Sequence, residues 1–257
     1  TRARMKPAHC PDPTRPDTAG LITRRTALAA PLLMTACAHT PTLPREQALA
    51  LALPGRATPL RAWLHLPRGY GDETRGWPLL VFLHGSGERG DDLDRVKVHG
   101  PPKHAAAGRD YPFILCSPLL EANADWHLPT LHALLGALRA GWRVDTQRIT
   151  ATGLSRGGHG VWRWAAAYPN DLAAIAPVCG YADPSAVCRA RHVPVRAYHG
   201  DADTVVPLAE QQACVDALRD CGGTVSFIIY PGVGHDAWTP AYDDPALVPW
   251  LMAQRRA

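Results

Sequence analysis

The sequence predicts an α/β protein: a mostly parallel, doubly wound sheet with helices on both faces. Three observations predict it. Short apolar runs of four to seven residues recur along the chain, each stopped by Gly or Pro. The runs are continuously apolar rather than alternating, which marks strands buried on both faces, as in a parallel sheet. Between them lie segments whose apolar residues fall three and four apart, the period of a helix.

The elements follow in chain order. LRAWLHLP (60–67) alternates and fits an antiparallel edge strand. WPLLVFLHG (77–85), YPFILCSP (111–118), the short β-branched RITATG (148–153), LAAIAPVCG (172–180), VPVRAYHG (193–200) and TVSFIIYPG (224–232) read as strands. Leu128, Leu131, Leu135 and Leu138 share one helical face. So do Val161, Trp164, Ala165 and Tyr168. In PLAEQQACVDALRDCGG, Cys214, Leu218 and Cys221 line a third helix, with Gly222 as its stop. PALVPWLMAQRR closes the chain as a helix that Pro249 bends or shortens. In HGPPKH, Pro101-Pro102 between His99 and His104 forbids a helix, and no H-E-x-x-H occurs, so no metal site is expected.

With 257 residues and 46% hydrophobic content, the chain suits one compact domain with a sizeable core. No linker is visible after about residue 45, so residues 45–257 read as a single domain. No apolar run reaches the ~18 residues that a membrane-crossing helix needs. The net charge of +4 comes entirely from residues 1–36, which hold six Lys/Arg and two Asp. The rest balances 21 basic against 21 acidic residues, which excludes an electrostatic case for nucleic acid.

Residues 1–37 read as an address with a disordered, Pro-rich extension before it. Arg24–Arg25 precedes a short apolar stretch, 27–36, which ends in small residues before Cys37. This order is that of an export signal. The Arg pair resembles a twin-arginine signal, and the residues before Cys37 resemble a bacterial lipobox in which that Cys is lipidated. The expected location is therefore periplasmic, membrane-anchored through Cys37, or secreted. An oxidising compartment permits disulfides, and Cys179–Cys188 and Cys214–Cys221 are close enough in sequence to be candidates. Cys116, in an apolar run, reads as a buried small hydrophobe.

The chemistry centres on ATGLSRGGHG (151–160). A strand, then Gly153-Leu154-Ser155-Arg156-Gly157, then a helix is the context of a nucleophile elbow. Such a turn leaves no room for side chains at the flanking glycines and presents Ser155 at the carboxyl end of the sheet. A serine hydroxyl needs a base. His235, in the glycine-flanked loop YPGVGHDAW after the last long strand, is the candidate among twelve histidines. His84 and His199 sit at strand ends and read as structural, and His159 packs or caps the helix after the elbow. The base in turn needs a carboxylate, and HGDADTVVP offers Asp201 and Asp203. Asp203 is preferred for its reach, with Asp201 left to hydrogen-bond its own turn. The backbone N–H of Arg156 is one oxyanion donor. The loop LHGSGERGDD offers the other, Ser86 N–H first and Gly87 N–H second. Glu88, Arg89 and Asp91 read as a salt-bridge network shaping that loop.

FLHGSGERGDD, GLSRGGHGVW, HGDADTVVP and GVGHDAW together resemble the α/β-hydrolase superfamily over roughly residues 58–255. The branch is that of small, lidless carboxylesterases and peptidases related to dienelactone hydrolases, polyhydroxyalkanoate depolymerases and feruloyl esterases. The resemblance implies Ser155 as nucleophile, Asp203 as acid, His235 as base, and Ser86 and Arg156 as oxyanion donors. Where relatives commonly have Met or Gln after the serine, this chain has Arg156, whose charge in the cleft favours an anionic or polar acyl group. Trp126 matches a tryptophan that relatives carry near the cleft, with a core position as the alternative. The expected activity is cofactor-free hydrolysis of small or polymeric carboxylic esters through an acyl-enzyme. Alternatives are a serine peptidase, a polyester depolymerase, a feruloyl-type esterase, or a non-enzymatic binding lipoprotein on the same scaffold.

Overall fold

The computed structural model describes residues 44–256; the predicted export signal, with Arg24, Arg25 and Cys37, lies outside them. The strands are β1 (Glu46–Leu51), β2 (Leu60–His65), β3 (Trp77–Leu83), β4 (Ile114–Pro118), β5 (Val144–Leu154), β6 (Ala174–Val178), β7 (Val195–Gly200) and β8 (Val225–Tyr230). The helices are α1 (Gly100–Ala106), α2 (Leu128–Gly141), α3 (Arg156–Ala167), α4 (Pro184–Val187), α5 (Leu208–Asp220), α6 (Trp238–Asp243) and α7 (Leu247–Ala253).

All eight strands join in one sheet, ordered β1-β2-β4-β3-β5-β6-β7-β8. The β1–β2 and β2–β4 pairs are antiparallel, and every pair from β4 to β8 is parallel. The period of two along β3 explains the two layers of helices. Leu79, Val81 and Leu83 face a core completed by α2, α3 and α5. Leu80 and Phe82 face a second core with α1, α6 and α7. Each such fully buried side chain contributes about 2–3 kcal/mol through removal of apolar area from water.

The fold differs from the sequence expectations at five places. LRAWLHLP is antiparallel but not an edge, because β1, unrecognised in the sequence, pairs outside it with the register Glu46–His65 to Leu51–Leu60. RITATG is the inner part of an eleven-residue strand whose first residues, Val144–Arg148, are mostly polar and half-exposed or exposed. TVSFIIYPG is an edge strand, so its apolar run is only partly buried. HGPPKH is helical: His99 is the N-cap of α1, and Pro101 and Pro102 occupy its first turn. There the N–H groups have no intrahelical partner to lose, so proline is tolerated. The disulfide is Cys188–Cys221, neither of the two short-range pairs, because α5 packs back on the segment after α4. Cys116, Cys179 and Cys214 are buried free thiols.

Candidate active site

The ends of β3, β5, β7 and β8 converge at the carboxyl edge of the sheet, where open α/β sheets hold their sites. Ser155 follows β5 with φ 51° and ψ −116°, a left-handed φ that serine rarely adopts. The turn is so tight that a Cβ on Gly157 would lie 1.8 Å from the Leu83 carbonyl oxygen. A Cβ on Gly153 would lie 2.6 Å from Gly157. Two interactions hold the strained residue: Ser155 N–H donates to Val178 O at 3.0 Å, and α3 begins immediately after it. Such strain costs about 1–3 kcal/mol and persists only where the surroundings over-determine it.

Three side chains meet there in a line. The Ser155 hydroxyl lies 3.0 Å from His235 Nε2 and donates to it. His235 Nδ1–H donates to Asp203 Oδ2 at 2.7 Å. The other oxygen of Asp203 accepts the N–H groups of Val205 and Val206 at 2.8 and 2.9 Å. Burial opposes charge on this carboxyl, but the bonds from His235, Val206 and Val205 outweigh it and hold its pKa below the ordinary carboxylate range. These contacts fix the tautomer of His235, with its proton on Nδ1 and Nε2 bare toward the serine. Asp201 does not bond its own turn; it accepts Gly232 N–H at 2.7 Å and so ties the end of β7 to the loop carrying His235. Asp236 points away and accepts the Thr239 N–H and hydroxyl in the first turn of α6.

Ser86 and Arg156 each begin a helical turn next to the serine, Ser86 in a short 3-10 turn (Ser86–Glu88) and Arg156 in α3. First-turn N–H groups have no partner within the helix and are free to meet an anion. The Ser86 loop is held by hydrogen bonds to its backbone rather than by a salt-bridge network among Glu88, Arg89 and Asp91. Buried Glu88 accepts Gly85 N–H at 2.9 Å. Arg89 donates to Ser86 O at 3.1 Å, and Arg95 donates to Gly87 O. Underneath, buried His84 donates from Nδ1 to Gly85 O at 2.7 Å and accepts Leu120 N–H at 2.9 Å.

The site opens into a cleft of about 440 Å³. One side is polar, from Arg156, His159 and Arg163 at helical spacing on α3 and from Asp125. The Arg156 side chain does enter the cleft, but it is not a free charge. It donates to Ser86 Oγ at 2.8 Å and pairs with Asp125 at 3.2 Å, which Arg163 also contacts at 2.8 Å. The segments after β6 and β7 add Tyr181, Ala182, Val205 and Val206, of which Val205 is 66% exposed. These residues carry no motif, so only the spacing of Arg156, His159 and Arg163 along one helix signals them in the sequence. His159 does not merely cap: it bonds the Tyr181 backbone at 2.9 Å and lines the cleft.

Trp126 is a correction. It is only 2% exposed, packs on Gly160 and Leu83, and donates its indole N–H to His84 O at 3.3 Å. It is a core residue under the Ser86 loop: its indole does not line the cleft, and only its backbone N–H meets a cleft residue, donating to Asp125 Oδ1 at 2.8 Å. Cys179 Sγ lies with the Asp203 and His235 side chains in a group whose ligand-type atoms are within 4.8 Å of one another. Asp203 and His235 are spent on each other, however, and burial pushes the thiol pKa far above its ordinary value. The thiol instead donates to His235 O at 3.5 Å.

Residues 112–244 match the profile described as "Dienelactone hydrolase family". Over 217 residues the chain is 30% identical to NocK of Nocardia uniformis subsp. tsuyamanensis, a protein described by inference as an esterase. That alignment covers 79% of this chain and 59% of NocK. A solved thermostable esterase superposes with a TM-score of 0.71 at 28% identity, over 82% of this chain and 64% of that one. A ferulic acid esterase superposes with a TM-score of 0.63 at 16% identity, over 81% of this chain and 98% of that one. The sheet order and these superpositions establish the α/β-hydrolase fold. The chain spans about three fifths of the length of NocK and of the thermostable esterase.

Proposed function

The chain belongs to the dienelactone hydrolase family, and on that premise we propose that it hydrolyses carboxylic esters through an acyl-enzyme formed on Ser155. The observation that carries this reading is the hydrogen-bonded line Ser155–His235–Asp203 at the mouth of the cleft. His235 Nε2 takes the hydroxyl proton as Ser155 Oγ attacks the ester carbonyl. Asp203 stabilises the resulting imidazolium and keeps its orientation. Ser86 N–H and Arg156 N–H receive the oxyanion, each lowering the barrier by about 3 kcal/mol. The imidazolium then protonates the leaving alcohol, and water, deprotonated by His235, releases the acid. No step calls on a cofactor or metal.

An open cleft with one polar side and one mostly apolar side, interrupted by Asp183, suits small esters or an exposed ester on a polymer. The same reading keeps the export signal: a protein carrying the Cys188–Cys221 disulfide is at home in an oxidising compartment, anchored through a lipidated Cys37 or released. Hydrolysis of p-nitrophenyl acetate and butyrate by purified protein tests the activity. Turnover lost in Ser155→Ala supports it; full turnover in that variant contradicts it. A panel of feruloyl esters, polyester film and peptide amides then separates the substrate classes.

A further inference from the structure

His199 is the penultimate residue of β7, four residues before Asp203, and is completely buried. Its Nδ1 lies 2.6 Å from Gln211 Oε1 on α5. The Gln211 amide cannot be turned over. Its oxygen also accepts Gly180 N–H at 3.2 Å, and its nitrogen donates to Pro177 O at 3.4 Å. Nδ1 therefore faces an acceptor and must donate. Nε2 lies 2.8 Å from Val206 O and 3.3 Å from Asp203 Oδ2, the oxygen that also takes the His235 proton. A bare Nε2 would aim its lone pair at two oxygens, one of them charged, from a fully buried ring, at a cost of the order of a lost buried hydrogen bond or more.

We infer that His199 is a positioning residue for the acid of the proposed triad: both of its ring nitrogens carry protons, and the buried cation is paired with Asp203 beside His235. The inference rests on the reading of Ser155, His235 and Asp203 given above. The four acceptor positions of Asp203 are then filled by Val205 N–H, Val206 N–H, His235 and His199. The carboxylate cannot rotate away from His235, and part of its charge is already offset. The titratable groups around His199 are few. Asp203 is in contact, His235 lies across that carboxylate, and the Cys179 thiol after β6 sits beside both. Asp201 is turned to Gly232 N–H; on α5 the Gln211 amide meets the ring, and the Cys214 thiol one turn further on is hydrogen-bonded to Ala182 O.

The consequence is a pH profile. A cation beside Asp203 disfavours a second proton on His235, so the base stays free to lower pH. Replacing His199 by Gln removes that charge, and the acidic limb of kcat/KM for p-nitrophenyl acetate moves up by about one pH unit. A purely structural role lowers kcat and leaves the limb in place, which overturns the inference. The wild-type protein supplies a second measurement that needs no variant. In ring 15N–1H correlation spectra at pH 7.5, assigned by the loss of signals in His199→Gln, His199 shows two protonated nitrogens with imidazolium shifts. One bare nitrogen on His199 overturns the inference. Fluorophosphonate labelling of Ser155, measured in parallel, separates the two levels. An unreactive Ser155 sinks the triad reading, while the ring spectrum still reports on His199.

Discussion

Arg156 Nε donates to Ser86 Oγ across 2.8 Å, so the two residues proposed to hold the oxyanion through their backbones are also joined through their side chains. The same guanidinium is braced by Asp125, which Arg163 holds in turn. Burial works against charge on Asp125, but bonds from Arg163, Trp126 N–H and Arg156 prevail and keep its pKa below the ordinary range. The spacing between the two backbone donors is thereby set from outside the peptide groups themselves.

Ser86→Ala leaves the Ser86 N–H in place and removes this tie. The expected loss is about 1 kcal/mol of transition-state stabilisation, or a fall of about five-fold in kcat with KM within two-fold. Steady-state kinetics on p-nitrophenyl acetate checks it. A change in KM at constant kcat would mean that the Arg156 side chain binds substrate instead.

Asp203→Asn keeps the shape of the acid but offers His235 an amide in place of the charge that fixes its tautomer. Turnover is expected to fall by about three to four orders of magnitude, with folding intact by circular dichroism. Asp201→Asn, which touches only Gly232 N–H, is expected to cost far less. The reverse ranking would reassign the acid.

Gly157→Ala is expected to destabilise the fold severely. Its new methyl would lie 1.8 Å from a backbone oxygen of β3, and no side chain can move to relieve that contact. A loss of about 3 kcal/mol or more, or failure to yield soluble protein, is expected in denaturant unfolding. An Ala variant of wild-type stability would show that the elbow is looser than described.

Burial lowers the pKa of His84 from 6.5 to about 4, against a smaller opposing effect from its bond to Gly85 O. The folded state resists a proton that the unfolded chain accepts near pH 6.5. Stability is therefore complete above that pH and declines as pH falls from about 6.5 toward 4, by about 3 kcal/mol in total for this one group. Thermal unfolding across that range checks the slope, and His84→Asn should flatten it. An unchanged slope in His84→Asn would assign the acid sensitivity to other groups.

The Cys188–Cys221 bridge closes a separation of 33 residues. Constraint of the unfolded chain by such a loop is worth about 3–4 kcal/mol. Dithiothreitol, or Cys188→Ser, is expected to lower the unfolding free energy by that order, and yield should be higher from an oxidising compartment. Equal stability with and without reductant would remove this support for export.

The legible part of this protein is the part that local rules dictate. Apolar runs ending in Gly or Pro mark six strands, because strands covered on both faces bury mostly apolar side chains; β8, at the sheet edge, is covered only in part. Ser155 and His235 could be picked out because the elbow needs glycine and the base needs an exposed loop. The edge strand β1 escaped notice because EQALAL is half-exposed and only weakly apolar. The helix at Gly100–Ala106 is illegible because adjacent prolines break a helix interior yet are tolerated in its first turn, and the sequence does not say which of the two they occupy. The disulfide partner of Cys188 and the burial of Trp126 depend on how distant helices pack, which no spacing in the chain encodes. Arg156 was visible as a charge beside the serine, but its partners Ser86 and Asp125 come from two other segments.

The most direct measurement is active-site labelling with a fluorophosphonate, followed by peptide mapping. A single adduct on the peptide carrying Ser155, absent from Ser155→Ala and strongly slowed in His235→Ala, is the result predicted. An adduct on another residue, or labelling indifferent to the loss of His235, would contradict the account.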